Sequence, residues 1–159
     1  MKKIPLTQGF FALVDDEDFE FLMQWKWFVS KKKNQFVAEG NAGTPKKRIK
    51  MHRFILGIYD PSKKVDHING DTLDNRRLNI RICTHAENSR NRGLAKNNTS
   101  GFKGVNWSKP YNKWEVRIKL NDKSIAIGRF SNLKAAAKAY NEAAKKYHGE
   151  FARLNEIKE

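Results

Sequence analysis

Residues 65–92 read VDHINGDTLDNRRLNIRICTHAENSRNR, and the fold turns on how this stretch divides. Asp66 and His67 close a short strand-like run, and Asn79 opens a second one that continues to Cys83. Thr84-His85-Ala86-Glu87 then has the form of a capping box, starting a helix that carries Asn88. Between the two strands lies a polar loop in which Asn69-Gly70-Asp71 is turn chemistry. The order is strand, loop, strand, helix. A helix packed across two such strands can bring Asp66 and Asn88 together, although 22 positions separate them.

A carboxylate and a neutral amide carbonyl form a hard, incomplete ligand set. It suits Mg²⁺ or Mn²⁺ completed by water and phosphate oxygens rather than zinc. His67, adjacent in sequence, points beside such a cation; with an unperturbed pKa of about 6.5 it is mostly neutral at pH 7 and can take a proton from water.

The order Asp66-His67, Asn79, Asn88 resembles the ββα-metal nucleases of the HNH family, in the His-Asn-Asn variant of phage homing endonucleases. The resemblance implies that His67 is the general base, that Asp66 and Asn88 hold one Mg²⁺ or Mn²⁺ per active site, and that Asn79 braces the loop orienting His67. Many members end the motif in a second metal-binding His where this chain has Asn88, which implies weaker metal binding. The competing reading is a degenerate copy kept as a DNA-binding scaffold.

The chain's 159 residues allow one domain or two small ones, neither with a large core. Its 32 Lys and Arg against 17 Asp and Glu give a net charge of +15 and point to a polyanionic partner. No apolar run approaches the roughly 20 residues that span a bilayer, and the N-terminus does not resemble a signal peptide, so no membrane partner is expected. The single cysteine, Cys83, excludes an internal disulfide framework and a cysteine-rich zinc site, and its apolar strand context makes it a core residue. These features together place the protein in a reducing compartment, the cytoplasm of a bacterium or of a phage-infected host.

Residues 4–14 contain a turn signal and then a buried-strand run, and the acidic residues 15–18 read as the solvated first turn of a helix through Gln24. Residues 25–29 and 35–39 flank a basic tip at 31–34, a hairpin of the kind that can enter a DNA groove. A second basic segment, 46–50, precedes Met51-His52-Arg53 and an apolar run from Phe54 to Ile58. This region, with its Met-His-Arg triplet, resembles what precedes the motif in phage HNH proteins. His52 is therefore a candidate neighbour of the active site, although its spacing fits a structural or phosphate-contacting histidine equally well. His85 reads as a surface helix residue.

Residues 93–100 have turn composition and no periodicity, which suggests a linker. Beyond it the pattern is three short strands and one helix. Trp114, Val116 and Ile118 face one way and Glu115, Arg117 and Lys119 the other; Ile125 and Ile127 point in, Ser124 and Ala126 out. Asn121-Asp122-Lys123 makes the hairpin turn. Ser131 or Asn132 caps an Ala-rich helix from Leu133 to Tyr147, ended by Gly149. Residues 96–155 hold 13 Lys and Arg against 4 Asp and Glu.

Gly101-Phe-Lys-Gly-Val-Asn-Trp107, Lys113-Trp114, Ile127-Gly-Arg-Phe130, Ala135-Ala-Ala-Lys-Ala-Tyr140, Asn141-Glu-Ala-Ala144 and Leu154-Asn155 resemble the APETALA-two domain of plant ethylene-response factors. The resemblance implies that the sheet lies in the DNA major groove with the face opposite the helix. Matching positions there include Lys103, Asn106, Arg117, Lys119 and Arg129. Of these, Arg117 and Arg129 are the candidates for reading guanine edges, and Lys103 and Lys119 for phosphate contact. Asn106, Arg117 and Ala126 depart from the plant pattern, so the plant target sequence does not carry over.

The sequence thus reads as an α+β protein: an N-terminal β-hairpin region leading into a ββα-metal nuclease motif (1–92, core motif 64–92), a linker (93–100), and a three-stranded antiparallel sheet packed on one helix (101–155). The expected activity is a site-preferring endonuclease on double-stranded DNA, leaving 5′-phosphate and 3′-hydroxyl ends, with no protein partner evident. A monomer would nick one strand; cutting both requires a dimer or successive events. A non-catalytic DNA-binding regulator retaining the fold is the alternative, and RNA binding ranks below it.

Overall fold

The computed structural model describes residues 1–32 and 35–158, so Lys33 and Asn34 of the expected basic tip lie outside the described residues. β1 (Lys2–Pro5) and β2 (Phe11–Val14) pair antiparallel and bury Ile4, Ala12 and Val14. α1 (Asp16–Met23) begins with Asp16, Glu17 and Asp18, where acidic side chains complement the helix dipole.

β3 (Trp27–Lys32), β4 (Gln35–Ala42) and β5 (Lys47–Lys50) form an antiparallel sheet with β4 central. The 46–50 segment, read from sequence only as positive charge, therefore supplies an edge strand, with Ile49 packed on the core. Trp27 faces Gly40 across the ladder, where a Cβ would lie 2.7 Å from the indole ring, so only glycine admits this tryptophan. The indole N–H donates to the Leu22 carbonyl at 2.8 Å. α2 (Met51–Ile55) follows β5 at once and buries Met51, His52, Phe54 and Ile55.

β6 (Lys64–His67) and β7 (Ile80–Cys83) form a two-stranded ladder, and α3 (His85–Arg90) begins directly after Thr84. The fold class read from sequence, a mixed α+β chain of small antiparallel sheets, is what the structure has. The chain divides into two compact units between Thr84 and His85, earlier than the expected linker at 93–100. The physical reason lies at the end of α3. The Lys103 ammonium donates to the Arg90 carbonyl and, at 2.6 Å, to the Arg92 carbonyl, which ties that helix to the C-terminal unit.

In the second unit, β8 (Val105–Ser108), β9 (Lys113–Leu120) and β10 (Lys123–Phe130) form an antiparallel sheet covered by α4 (Leu133–His148). Asn121 and Asp122 both take positive φ in the β9–β10 turn, as a type I′ turn requires. The Asn132 side chain caps α4 by accepting from the Ala135 amide at 2.9 Å. Val105, Val116 and Ile118 pack against Ala136, Tyr140 and Ala144, and the methyls of the two alanines let the helix lie close to the sheet. Gly104 (φ +73°) sits where a Cβ would fall 2.2 Å from the Tyr140 ring. Among the described residues, no helix is long and apolar enough to cross a membrane.

Candidate active site

His67 ends β6, opposite Ile80, and is 5% exposed. Its Nε2 lies 3.3 Å from Asn75 Oδ1, and Asn75 is itself fully buried. The Asn75 amide donates through Nδ2 to the Leu73 carbonyl at 3.1 Å, which fixes its orientation and turns Oδ1 toward the imidazole. With Asn75 Oδ1 turned to the ring, Nε2 is the nitrogen that donates in this pair. Burial is the largest influence on this imidazole and lowers its pKa, against the Asn75 bond and the charges of Asp66, Asp71 and Asp74. At neutral pH His67 is a neutral base.

Asn79 spans the loop between β6 and β7. Its Oδ1 accepts from the Asn69 amide at 3.0 Å, its Nδ2 donates to the Asp74 carbonyl at 2.7 Å, and its own carbonyl accepts from the Ile68 amide at 2.8 Å. One side chain thus closes both ends of the loop that follows His67. Asp74, 2% exposed, takes Asn69 Nδ2 at 2.9 Å and the Arg76 guanidinium at 2.6 Å, and the Arg76 bond is the main cause holding its carboxyl below the usual carboxylate range.

The N-terminal segment grips the same loop. The Leu13 amide donates to Leu73 and the Leu13 carbonyl accepts from Asn75, at 2.9 and 2.8 Å. Asp15 accepts from the Arg77 amide at 2.7 Å, and Asp18 pairs with the Arg77 guanidinium at 2.7 Å. The acidic cluster, expected to be a solvated helix start, is therefore partly a clamp: Asp18 is 6% exposed because Arg77 needs a buried partner.

Asp66 lies opposite Arg81 in the β6–β7 register, and Arg81 donates to Asp66 Oδ2 from Nε at 3.1 Å and from Nη2 at 2.9 Å. The pair is largely buried and holds the carboxylate in one orientation. His52, on α2, meets the His67 ring edge-to-face with centroids 4.9 Å apart. Its Nδ1 is buried with no hydrogen-bond partner among the described residues. Burial first, then the charges of His67, Lys50 and Arg53, pushes its pKa down to about 3. The structure thus brings His52, Asp66, His67 and Asn79 together in the first unit, and Asn88 lies on α3 in the second. His85 is exposed on the same helix, 3.4 Å from Ser89 Oγ.

Sequence reasoning missed Asn75, Asp74 and Arg81. Arg81 could have been found by pairing the two strands in register, which sets it across from Asp66. Asn75 carries no signal, being one polar residue among many in a polar loop.

The HNH endonuclease family model matches residues 54–90, which span β6, the loop, β7 and α3. Protein 3.8 of Escherichia phage T7 is 31% identical over 110 residues, covering 69% of this chain and 90% of that protein. The chain belongs to the family of Protein 3.8 and carries an HNH endonuclease domain. An HNH endonuclease of Acanthamoeba polyphaga mimivirus, described as uncharacterized, is 28% identical over 155 residues, covering 94% of this chain and 77% of the relative. No solved structure matches.

HNH nucleases use a divalent cation, and the residues present fit a hard one. Among the described residues no three His, Cys, Asp or Glu side chains converge into a closed metal cage. In the first unit the oxygen donor on offer is the buried carboxylate of Asp66. Such a sparse oxygen set suits a cation that keeps waters and binds substrate phosphate, not a structural zinc.

In the second unit, the sheet face opposite α4 sets Asn106, Glu115 and Arg129 in one cross-strand row, with Arg117 opposite Ala126 and Lys119 opposite Ser124 in the next two. Glu115, also unforeseen, sits between two guanidiniums: Arg117 Nε is 2.8 Å and Arg129 Nε 3.4 Å from its carboxylate. Arg129 also lies over the Tyr111 ring, 3.4 Å from the centroid. Lys119 pairs with Asp122 at 3.0 Å and is 70% exposed. Lys103, expected to contact phosphate, is instead drawn inward onto the Arg90 and Arg92 carbonyls, and burial lowers its pKa to about 8.

Proposed function

We propose that this HNH nuclease is a divalent-metal-dependent DNA endonuclease of the homing type, with His67 as general base. Nδ1 takes a proton from the attacking water while the water oxygen bonds phosphorus in line and the bond to the 3′ oxygen breaks, the 3′ oxygen taking a proton from solvent water. The products are a 5′-phosphate and a 3′-hydroxyl. Asp66, oriented by Arg81, and Asn88 would hold one Mg²⁺ or Mn²⁺, which when bound supplies neutralisation of charge on the phosphoryl and leaving oxygens. Asn79 positions the loop, and Asn75 sets the tautomer of the base. His52 keeps the first-unit site dry on one side of the imidazole.

The observation that carries this reading is the buried neutral imidazole of His67 with its Nε2–H committed to Asn75. The second unit is read as an APETALA-two-like module that docks its sheet in the major groove of duplex DNA. Arg117 and Arg129, spaced by Glu115, would read guanine edges, and Lys119 and Asn106 would contact the backbone. Lys103 serves α3 instead of phosphate.

The test is conversion of supercoiled plasmid with Mg²⁺, Mn²⁺ or EDTA, comparing wild type with His67→Ala. Metal-dependent open circles or linear DNA, lost in the variant, support the reading. Equal DNA binding by both proteins with no cutting under any condition replaces it with the non-catalytic regulator.

A further inference from the structure

We infer that the first unit carries a DNA-backbone groove separate from the sheet face of the second, bounded by β5, α2 and the segment leading into β6. The groove has a volume of about 730 Å³ and is lined by Lys47, Lys50, Arg53 and Lys64, with Tyr59 and Pro61 on its rim. Nothing in the proposed function or the family matches assigns it a role.

Charge singles it out from ordinary solvated lysines. The one carboxylate in its wall, Glu39, is 4% exposed and already consumed by Arg48 at 2.7 Å and Lys32 at 3.2 Å. Lys47, Lys50 and Lys64 are exposed and have no carboxylate partner among the described residues. Three uncompensated ammonium groups thus share one concavity, the arrangement that a phosphate chain neutralises with release of counterions.

The wall is also built. Arg53 donates from Nη1 to the Lys63 carbonyl at 2.8 Å and from Nη2 to the Asp60 carbonyl at 2.6 Å, pinning the segment before β6 against α2. That segment holds Tyr59 68% exposed on the rim beside the cations.

The groove's position gives it a purpose. Its walls are the elements that form the His67 site: α2 carries Arg53 next to His52, and β6 carries Lys64 two residues before Asp66. Strand alternation sends Lys64 and Asp66 to the same side, about 7 Å apart along β6, roughly the separation of neighbouring phosphates on one strand. A DNA strand lying in the groove leads toward Asp66. That last step rests on the nuclease reading; the binding itself does not.

The experiment measures duplex DNA affinity against salt concentration in a His67→Ala background. It compares the full chain with a Lys47→Gln/Lys50→Gln/Lys64→Gln variant and with a Lys134→Gln/Lys138→Gln/Lys146→Gln control on the exposed side of α4, which loses the same charge. At about 0.9 per phosphate contact, the groove variant should lower the slope of log affinity against log salt by about 2–3 and weaken binding about tenfold or more, with the control near its parent. Equal losses in both variants would mean that net charge alone acts, and the groove would be discarded. Plasmid nicking by the wild-type chain is read separately. Groove-dependent binding without nicking refutes the nuclease and leaves the groove, whereas nicking with groove-independent binding does the reverse.

Discussion

Replacing Asn75 by Asp or by Ala should move the titration of His67 in opposite directions. Asn75 Oδ1 is 3.3 Å from His67 Nε2, so a carboxylate placed there acts on the imidazolium at hydrogen-bond range. Two unit charges at that distance attract by roughly 5 kcal/mol at an effective dielectric of 20, a ceiling of under 4 pKa units at about 1.36 kcal/mol each. The new carboxylate also has to be desolvated where Asn75 is fully buried, so the expected rise is about 1–3 units. Ala removes a bond that raises the pKa and leaves burial to lower it further. The assay is the pH dependence of kcat/KM for nicking of a defined duplex, whose acid limb reports the base in the free enzyme. Asn75→Asp should shift that limb to higher pH and Asn75→Ala to lower pH. Asn75→Ala should also cost about tenfold to a hundredfold in rate, as loss of a supporting partner usually does. Imidazole ¹⁵N chemical shifts would follow the tautomer directly, with the proton on Nε2 in wild type. Acid limbs that stay put, or move the same way in both variants, would refute Asn75 as the group that sets the base.

His52 supplies a stability prediction with a definite sign. Its pKa is about 3 folded and about 6.5 unfolded, so the unfolded chain binds more protons between those values and stability is lost as pH falls below about 6.5. At pH 5 the loss is about 2 kcal/mol for this group alone, and urea unfolding of His52→Gln should show a correspondingly flatter pH dependence between 7 and 5. Gly104→Ala should destabilise the second unit by about 2–4 kcal/mol, combining the positive φ with a Cβ 2.2 Å from Tyr140, and lower the midpoint of thermal unfolding.

Much of the candidate site was legible because it is local. Alternation, turn residues and a capping box within 28 residues delimit β6, the loop, β7 and α3. The C-terminal sheet and helix were legible for the same reason, down to the cap at Asn132. What escaped was built by contacts between distant segments. Asp18, which reads as solvated, is buried because Arg77 reaches it from 59 positions away. Lys103 reads as a surface cation because nothing in its neighbourhood shows that the end of α3 and the residues just after it turn the Arg90 and Arg92 carbonyls toward it.

By itself the sequence determined the element order, the strongly positive charge and which side chains were candidates for the site, since these depend on side-chain type and on periods of 2 and 3.6. Only the tertiary structure decided which of those residues are buried, that Asn75 faces His67, that Arg81 holds Asp66, and that three lysines of β5 and β6 line one groove. Those properties arise from desolvation and from hydrogen bonds at about 3 Å, and both are set by which segments meet in space.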